Sequence, residues 1–113
     1  MVLGDRYGLV QVFLNLVRNS MHAVQDLDTK RLTIRSVVES NCVVVYFEDT
    51  GTGIADPEGL FKPFYQSSEG SGLGLYVSRA ILRSFRGELE YRPQERGCGF
   101  AVILTTFALS HRA

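Results

Sequence analysis

The apolar side chains of this chain recur at helical spacing in two segments. Residues 6–26 predict a long helix, because apolar positions three and four apart cover most of its circumference, and Asp5 precedes it as a candidate N-cap. Residues 73–86 predict a second helix. Gly87 follows directly, and a glycine in the left-handed conformation commonly ends a helix, so we expect the helix to stop there.

Outside the helices, apolar residues alternate with polar ones or run in β-branched stretches, which is typical of strands. Residues 31–39 and 41–48 predict one hairpin, and residues 88–92 and 100–107 predict a second. The order is helix, hairpin, long connection, helix, hairpin. It predicts an α+β fold, a two-layer sandwich in which helices cover one face of a mixed sheet.

Composition narrows the class of function. The chain has 113 residues, of which 45% are hydrophobic, enough for one domain with a core. Lys+Arg and Asp+Glu balance at 12 each, so no basic field favours nucleic acid or contact with an anionic membrane. No apolar run approaches the ~20 residues that cross a bilayer. Cys42 and Cys98 lack metal-site or redox-motif spacing, so a reduced, cytoplasmic setting is expected.

A narrow polar stripe runs along the first predicted helix. Asn15 and Asn19 lie four residues apart and therefore project from the same face. Asparagine is a poor helix former, and its amide oxygen is a hard, neutral ligand suited to Mg²⁺ beside substrate phosphates. Asn19 is thus a candidate metal ligand, and a plain solvated strip is the alternative. The stripe comprises Gln11, Asn15, Arg18, Asn19, His22 and Asp26.

Two glycine-rich turns border a long connection over residues 50–72. Asp49 ends a strand, and Gly51 and Gly53 follow it. These glycines either form an ordinary turn or let a flat ring approach the backbone while the carboxylate accepts a hydrogen bond from an exocyclic amine. Residues 70–75 lead into the second helix, whose first N–H groups and positive dipole end suit phosphate. They lack the strand of a Rossmann motif and the lysine of a P-loop, and a flexible helix entry is the alternative.

Four motifs in this order resemble the ATP-binding catalytic domain of sensor histidine kinases. That domain belongs to the superfamily shared with type II topoisomerases, mismatch-repair proteins and ninety-kilodalton heat-shock chaperones. Residues 11–23 resemble its N box, residues 49–54 its first glycine box, residues 60–64 its F box and residues 70–75 its second glycine box. The resemblance covers nearly the whole chain. It implies the Bergerat-type sandwich, with ATP between the helical layer and a lid.

The resemblance implies a role for each motif residue. Asn19 would hold Mg²⁺, Asn15 would lie beside it near the phosphates, and Asp49 would bind the adenine amino group. Hydrolytic members of the superfamily carry a water-activating Glu at the Asn15 position, and an amide cannot act as a general base, which favours transfer over hydrolysis. The implied catalytic residues are Asn15 and Asn19. The implied nucleotide-binding residues are Asn15, Asn19, His22, Asp49, Gly51, Gly53, Ile54, Phe64, Gly70, Ser71, Gly72, Leu73, Gly74 and Leu75.

The implied activity is that of an ATP-dependent protein-histidine kinase in a two-component system. The domain would pass the γ-phosphate of ATP to a histidine on a separate dimerisation and phosphoacceptor domain, for relay to an aspartate of a response regulator. Residues 1–113 would be a single catalytic domain of a longer kinase, whose membrane anchoring the sequence leaves open. A serine kinase that restrains a sigma factor and a non-catalytic nucleotide-binding docking module are the alternatives.

Three features depart from the family pattern. The expected lid, between Phe64 and Gly70, is short. Cys98 occupies the position where relatives often place a threonine near the adenine. Neither His22 nor His111 is followed by the Glu-Pro signature of a phosphoacceptor. We therefore expect the acceptor histidine to come from another domain.

Overall fold

A computed structural model of the chain describes residues 5–24, 28, 30–39, 41–51, 59–62, 74–94 and 97–105, with side chains in the first helix as far as Met21. All six predicted elements are present. They are α1 (Arg6–Val24), β1 (Leu32–Val38), β2 (Cys42–Asp49), α2 (Gly74–Ser84), β3 (Glu88–Tyr91) and β4 (Cys98–Thr105). The last strand begins at Cys98, two residues before the predicted start.

The four described strands form one sheet in the order β1-β2-β4-β3. Each hairpin pairs internally, and β2 and β4 join the two hairpins, with Phe47 opposite Phe100. The predicted α+β sandwich is confirmed. The predicted mixed sheet is not seen among the described strands, because all three of their pairings are antiparallel. The second hairpin docks through β4, which runs opposite to β2, so the central pairing is antiparallel as well.

The hydrophobic core lies between the helices and one face of the sheet. On β2, Phe47 faces α1, and its ring centroid lies 5.5 Å from that of Phe13. Because side chains alternate along a strand, Asp49 lies on this same face and Glu48 on the opposite face. The end of β2 therefore delivers a carboxylate to the helix-covered side. The core residues are Val12, Leu16, Phe47, Leu60, Leu82, Leu89, Cys98, Phe100, Val102 and Leu104.

The first helix begins as the sequence predicts. The Gly8 N–H donates to Asp5 Oδ2 at 3.1 Å, which satisfies one of the N–H groups that a helix start leaves unpaired. Asp5 is thus confirmed as the N-cap. Neither α1 nor α2, the helices that the structure describes, is both long and apolar enough to cross a bilayer.

The end of α2 differs from the prediction in one residue. Arg86 adopts the left-handed conformation, with φ 68°, in place of Gly87. The Gly87 N–H donates to Leu82 O at 2.7 Å and the Arg86 N–H to Arg83 O at 3.2 Å, which is the Schellman pattern with Arg86 at its left-handed position. Gly87 is needed for space, since a Cβ there would lie 2.8 Å from the carbonyl oxygen of Ile103.

Substitutions at these two neighbours should have opposite effects. Arg86→Gly should raise the free energy of unfolding by about 0.5–1 kcal/mol, because glycine adopts positive φ without the steric cost that arginine bears. Gly87→Ala should lower it by about 1–3 kcal/mol, because the added methyl overlaps the backbone of β4. Urea unfolding of both variants measures the two values. Equal signs would contradict the assignment of the left-handed residue.

Candidate functional site

The described residues include part of each predicted motif. The predicted site residues that the structure describes with side chains are Asn15, Asn19, Asp49, Gly51, Gly74 and Leu75. The predicted site residues Gly53, Ile54, Phe64, Gly70, Ser71, Gly72 and Leu73 lie outside the described residues, as does the side chain of His22. The roles predicted for all of them stay predictions, and the geometry below concerns the described members.

Asp49 is held in one orientation at the end of β2. It is 6% exposed, and its Oδ1 accepts a 2.7 Å hydrogen bond from the Gly51 N–H. The adjoining Thr50 ties this turn to the chain before β1, because its N–H donates to Arg31 O and its Oγ1 accepts from the Arg31 N–H, each at 3.1 Å. A buried carboxylate on the helix-covered face, fixed by the backbone, is suited to recognise a hydrogen-bond donor on a ligand.

Cys98 lies beside Asp49, its partner across the β2–β4 pairing. Burial, and secondarily the charge of Asp49, raises the pKa of the Cys98 thiol to about 12. The thiol therefore stays neutral at physiological pH. The residue that departs from the family's threonine is thus a direct neighbour of the candidate base-binding carboxylate.

Gly97 is a further residue at this point, and the sequence analysis did not single it out. Its φ is 92°, a conformation that favours glycine, and a Cβ on it would overlap the backbone carbonyl oxygen of Asp49. Gly97, the residue before β4, is therefore packed directly against the end of β2. Its position in a Gly-Cys-Gly run after a turn is the signal that could have identified it.

Asn15 belongs to the interface between the two helices. Its side chain is half-buried, and Nδ2 donates to Ser78 Oγ on α2 at 3.0 Å. Asn19, one turn further along α1, is also half-buried. Both residues are thus partly shielded from solvent, and Asn15 is not part of a plain solvated strip. Ser78 is fully buried. Ser78 is not among the residues predicted from the sequence, although a serine four residues before the buried Leu82 interrupts the apolar face of α2.

The second glycine run ends where α2 begins, at Gly74. Among the described residues, no atom apart from those of its chain neighbours and its own helix lies within 4 Å of a Cβ built on Gly74, so none of them fills the space on that side of the first turn of α2. The first N–H groups of a helix have no partner within it, and the dipole makes this end positive. The start of α2 can therefore accept an anionic group close to its backbone.

The apolar piece of the long connection is anchored to the core. Leu60 is buried, and the ring of Phe61 lies edge-on to Phe100 with centroids 6.4 Å apart. The guanidinium of Arg79 lies 4.3 Å from the centroid of Phe61 and pairs with Glu88 at 2.9 Å. Leu60 and Phe61, in the middle of the predicted loop, therefore pack between α2 and the sheet.

The pKa of Glu88 reflects the hydrogen bonds that its carboxylate accepts. Burial alone would raise it, but hydrogen bonds from Arg83, Arg79 and the Leu89 N–H outweigh burial and lower the pKa to about 2. The carboxylate is therefore ionised in the folded protein across the physiological range.

Glu88→Gln tests this lowered pKa through its effect on acid stability. The pKa of a glutamate is about 4.5 when the chain is unfolded and about 2 here, so the ionised group stabilises the fold fully above pH 4.5. That contribution should fall away as the pH drops from 4.5 toward 2. The free energy of unfolding of the wild type should thus exceed that of Glu88→Gln near neutral pH and converge with it in acid. If the difference in free energy of unfolding between the wild type and Glu88→Gln stays constant over this pH range, the lowered pKa is contradicted.

Comparison with known proteins identifies the family. The family model described as "Histidine kinase-, DNA gyrase B-, and HSP90-like ATPase" matches residues 4–110. The C4-dicarboxylate transport sensor protein DctB of Rhizobium meliloti is 36% identical over 105 residues, which are 90% of this chain and 17% of that protein. Sporulation kinase C of Bacillus subtilis is 32% identical, over 92% of this chain and 25% of its own length. The chain thus spans a quarter or less of these two relatives.

Solved structures agree with the fold. The catalytic domain of the histidine kinase ThkA, in a nucleotide-free form, aligns with a TM-score of 0.81 at 28% identity, covering 93% of this chain and 70% of that one. The histidine kinase AdeS of Acinetobacter baumannii aligns with a TM-score of 0.74 at 32% identity, covering 90% of this chain and 47% of that one. The family match, the fold and the order of the motifs agree. The chain belongs to the family of histidine kinase-, DNA gyrase B- and HSP90-like ATPases.

Proposed function

We propose that this chain is the ATP-binding catalytic domain of a two-component sensor histidine kinase. It would transfer the γ-phosphate of ATP to a histidine on a separate dimerisation and phosphoacceptor domain. The observation that carries the proposal is Asn15, a half-buried amide tied to α2 at the position where hydrolytic relatives have a glutamate. Because an amide cannot take a proton from water, the arrangement suits positioning for transfer.

Asp49 is the proposed contact for the adenine. The exocyclic amine of adenine donates hydrogen bonds, and a buried carboxylate with one oxygen fixed by Gly51 accepts them in a defined direction. Guanine carries an oxygen at the corresponding ring position, which a carboxylate would repel. We therefore assign base selection to Asp49, with Gly51 and Gly53 allowing close approach of the ring and the neutral thiol of Cys98 beside the carboxylate.

Asn19 is the proposed ligand for Mg²⁺, with Asn15 beside it. Among the described residues no group of three His, Cys, Asp or Glu side chains is placed to hold a metal. The two amide oxygens at the edge of α1 fit a cation that takes few protein ligands and otherwise uses water and phosphate. When bound, Mg²⁺ would neutralise phosphate charge.

The triphosphate is proposed to lie at the start of α2. None of the described residues fills the space beside Gly74 in the first turn, which supports this placement, and Gly70 and Gly72 would line the triphosphate. The acceptor imidazole nitrogen would attack the γ-phosphorus in line, the bond from phosphorus to the β–γ bridging oxygen would break, and ADP would leave. This chain would contribute positioning and charge stabilisation.

The partners follow from this proposal. The acceptor domain would be part of the same, longer kinase, and the phosphohistidine would pass its group to an aspartate of a response regulator. Because both the ATP supply and such a regulator belong to the cytoplasm, we propose that the reaction takes place there. Residues 1–113 would then act as one catalytic domain.

A transfer assay tests the proposal. The chain is incubated with γ-labelled ATP, Mg²⁺ and a panel of purified phosphoacceptor domains, and the labelled protein is treated with acid and with base. Label that is lost in acid and kept in base indicates phosphohistidine and supports the proposal. Label on serine would indicate a serine kinase. ATP binding with no transfer to any acceptor in the panel would favour a docking module.

A further inference from the structure

A buried hydroxyl on α2 contacts a residue of the proposed site. Ser78 is fully buried, and its Oγ lies 3.0 Å from Asn15 Nδ2. Alanine would occupy the same place in the apolar face of α2 without any polar group to satisfy, so packing does not explain the serine. A buried hydroxyl avoids a desolvation cost only through a hydrogen-bond partner, and here the partner is Asn15.

This hydrogen bond holds the Asn15 side chain in place, with its N–H₂ group toward Ser78. A serine hydroxyl can donate as well as accept, so Ser78 restrains where the amide lies, and the bond in the structure has Nδ2 on the side of Ser78. Donation from Nδ2 to Ser78 occupies one N–H and places that end of the amide against α2. The oxygen, on the other arm of the planar amide, is then directed away from Ser78.

We infer that Ser78 is a positioning residue that holds the Asn15 side chain in place, so that the amide oxygen, on the arm that faces away from Ser78, is presented to the cation of the bound nucleotide. The inference rests on the proposed function, because it presumes that Asn15 lies near Mg²⁺ and phosphate. An oxygen can accept from a water of the cation or contact the cation itself, whereas an N–H₂ group can do neither. The same bond also joins the helix of the N box to the helix that follows the second glycine box.

Nucleotide binding tests this inference without relying on activity. The affinity for AMPPNP, a non-hydrolysable ATP analogue, is measured by calorimetry with Mg²⁺ and with EDTA, and the ratio of the two gives the gain due to Mg²⁺. Ser78→Ala should reduce that gain about three- to tenfold, the effect of one hydrogen bond. In an Asn15→Ala background, Ser78→Ala should change the gain by less than about twofold, because its effect acts through Asn15.

Ser84→Ala is the matched control. Ser84 lies on the same helix, is exposed, and donates to Ile81 O at 2.6 Å with no contact to Asn15, so its removal should leave the Mg²⁺ gain unchanged. A Ser78→Ala protein that keeps the full gain, or effects of Asn15→Ala and Ser78→Ala that simply add, would overturn the positioning role. Failure of the wild type to bind AMPPNP at all would overturn the proposed function, and the inference with it.

Discussion

Asp49→Asn is expected to weaken binding of adenine nucleotides roughly 10- to 100-fold while the domain remains folded. The asparagine oxygen can still accept from the Gly51 N–H, so the turn after β2 keeps its hydrogen bond. The second carboxylate oxygen is replaced by an N–H₂ group. This group is a hydrogen-bond donor, and so is the adenine amine that it would face, so no hydrogen bond can form between them. Losing a hydrogen bond to a buried charge costs about 1.5–3 kcal/mol, and each 1.4 kcal/mol is tenfold in affinity. Calorimetry with AMPPNP measures the loss, and the thermal midpoint should change little.

The adjacent carboxylate provides the control for this substitution. Glu48 lies on the opposite face of β2, where it pairs with Arg35 at 3.1 Å. Glu48→Gln removes a negative charge one residue away and should leave nucleotide affinity unchanged, since partly exposed ion pairs contribute little and the site lies across the sheet. Equal affinity in Asp49→Asn and wild type would remove Asp49 from the adenine site. Equal losses in both variants would point to overall charge as the cause.

Gly97→Ala is expected to lower the free energy of unfolding by about 3 kcal/mol or more, the largest effect that we expect from a methyl group added to any glycine whose surroundings the structure describes. Two costs add at this position. Alanine at a φ of 92° is strained, and its Cβ would overlap the Asp49 carbonyl oxygen, which belongs to the backbone and cannot rotate away. Urea unfolding measures the loss, and the variant should also bind AMPPNP more weakly because the end of β2 must shift.

Gly74→Ala separates this strain from the general effect of replacing a glycine. A Cβ at Gly74 meets no atom of the described residues outside its own helix and chain neighbours, and alanine is the better helix former, so stability should stay equal or rise by up to about 1 kcal/mol. The comparison isolates backbone strain and overlap as the cause of the loss at Gly97. A Gly97→Ala protein as stable as Gly74→Ala would show that the two strands do not meet as described.

Much of the fold could be predicted because its signals are local. Helical spacing, strand alternation and the Asp5 cap each depend on residues a few positions apart, and all six elements are found. The end of α2 could not be predicted in the same way. Arg86 and Gly87 are adjacent, and the choice between them depends on the Ile103 carbonyl of β4, which only the folded sheet brings near. The antiparallel central pairing likewise depends on how the hairpins dock.

The residues of the candidate site show the same difference between local signals and tertiary contacts. Residue type and order pointed to Asp49 and Asn15, because a carboxylate after a strand and an amide on a helix stripe have recognisable chemistry. Their supporting residues, Ser78 and Gly97, are ordinary in type and lie far along the chain; Asn15 and Ser78 are 63 positions apart. Such residues acquire a role only through tertiary contact. Sequence alone therefore identified the groups that would meet a ligand more readily than the groups that hold them.

The place of β2 in the sheet has a consequence for how recognition of the base would fail. This strand is hydrogen-bonded to β1 from Val43 to Asp49 and to β4 along its whole length. Releasing Asp49 by local opening would break two ladders at once, so we expect the amides of β2 to exchange more slowly than those of β1 and β3, each of which pairs on one side among the described strands. Recognition of the base should therefore persist under mild destabilisation that already frays β1 and β3.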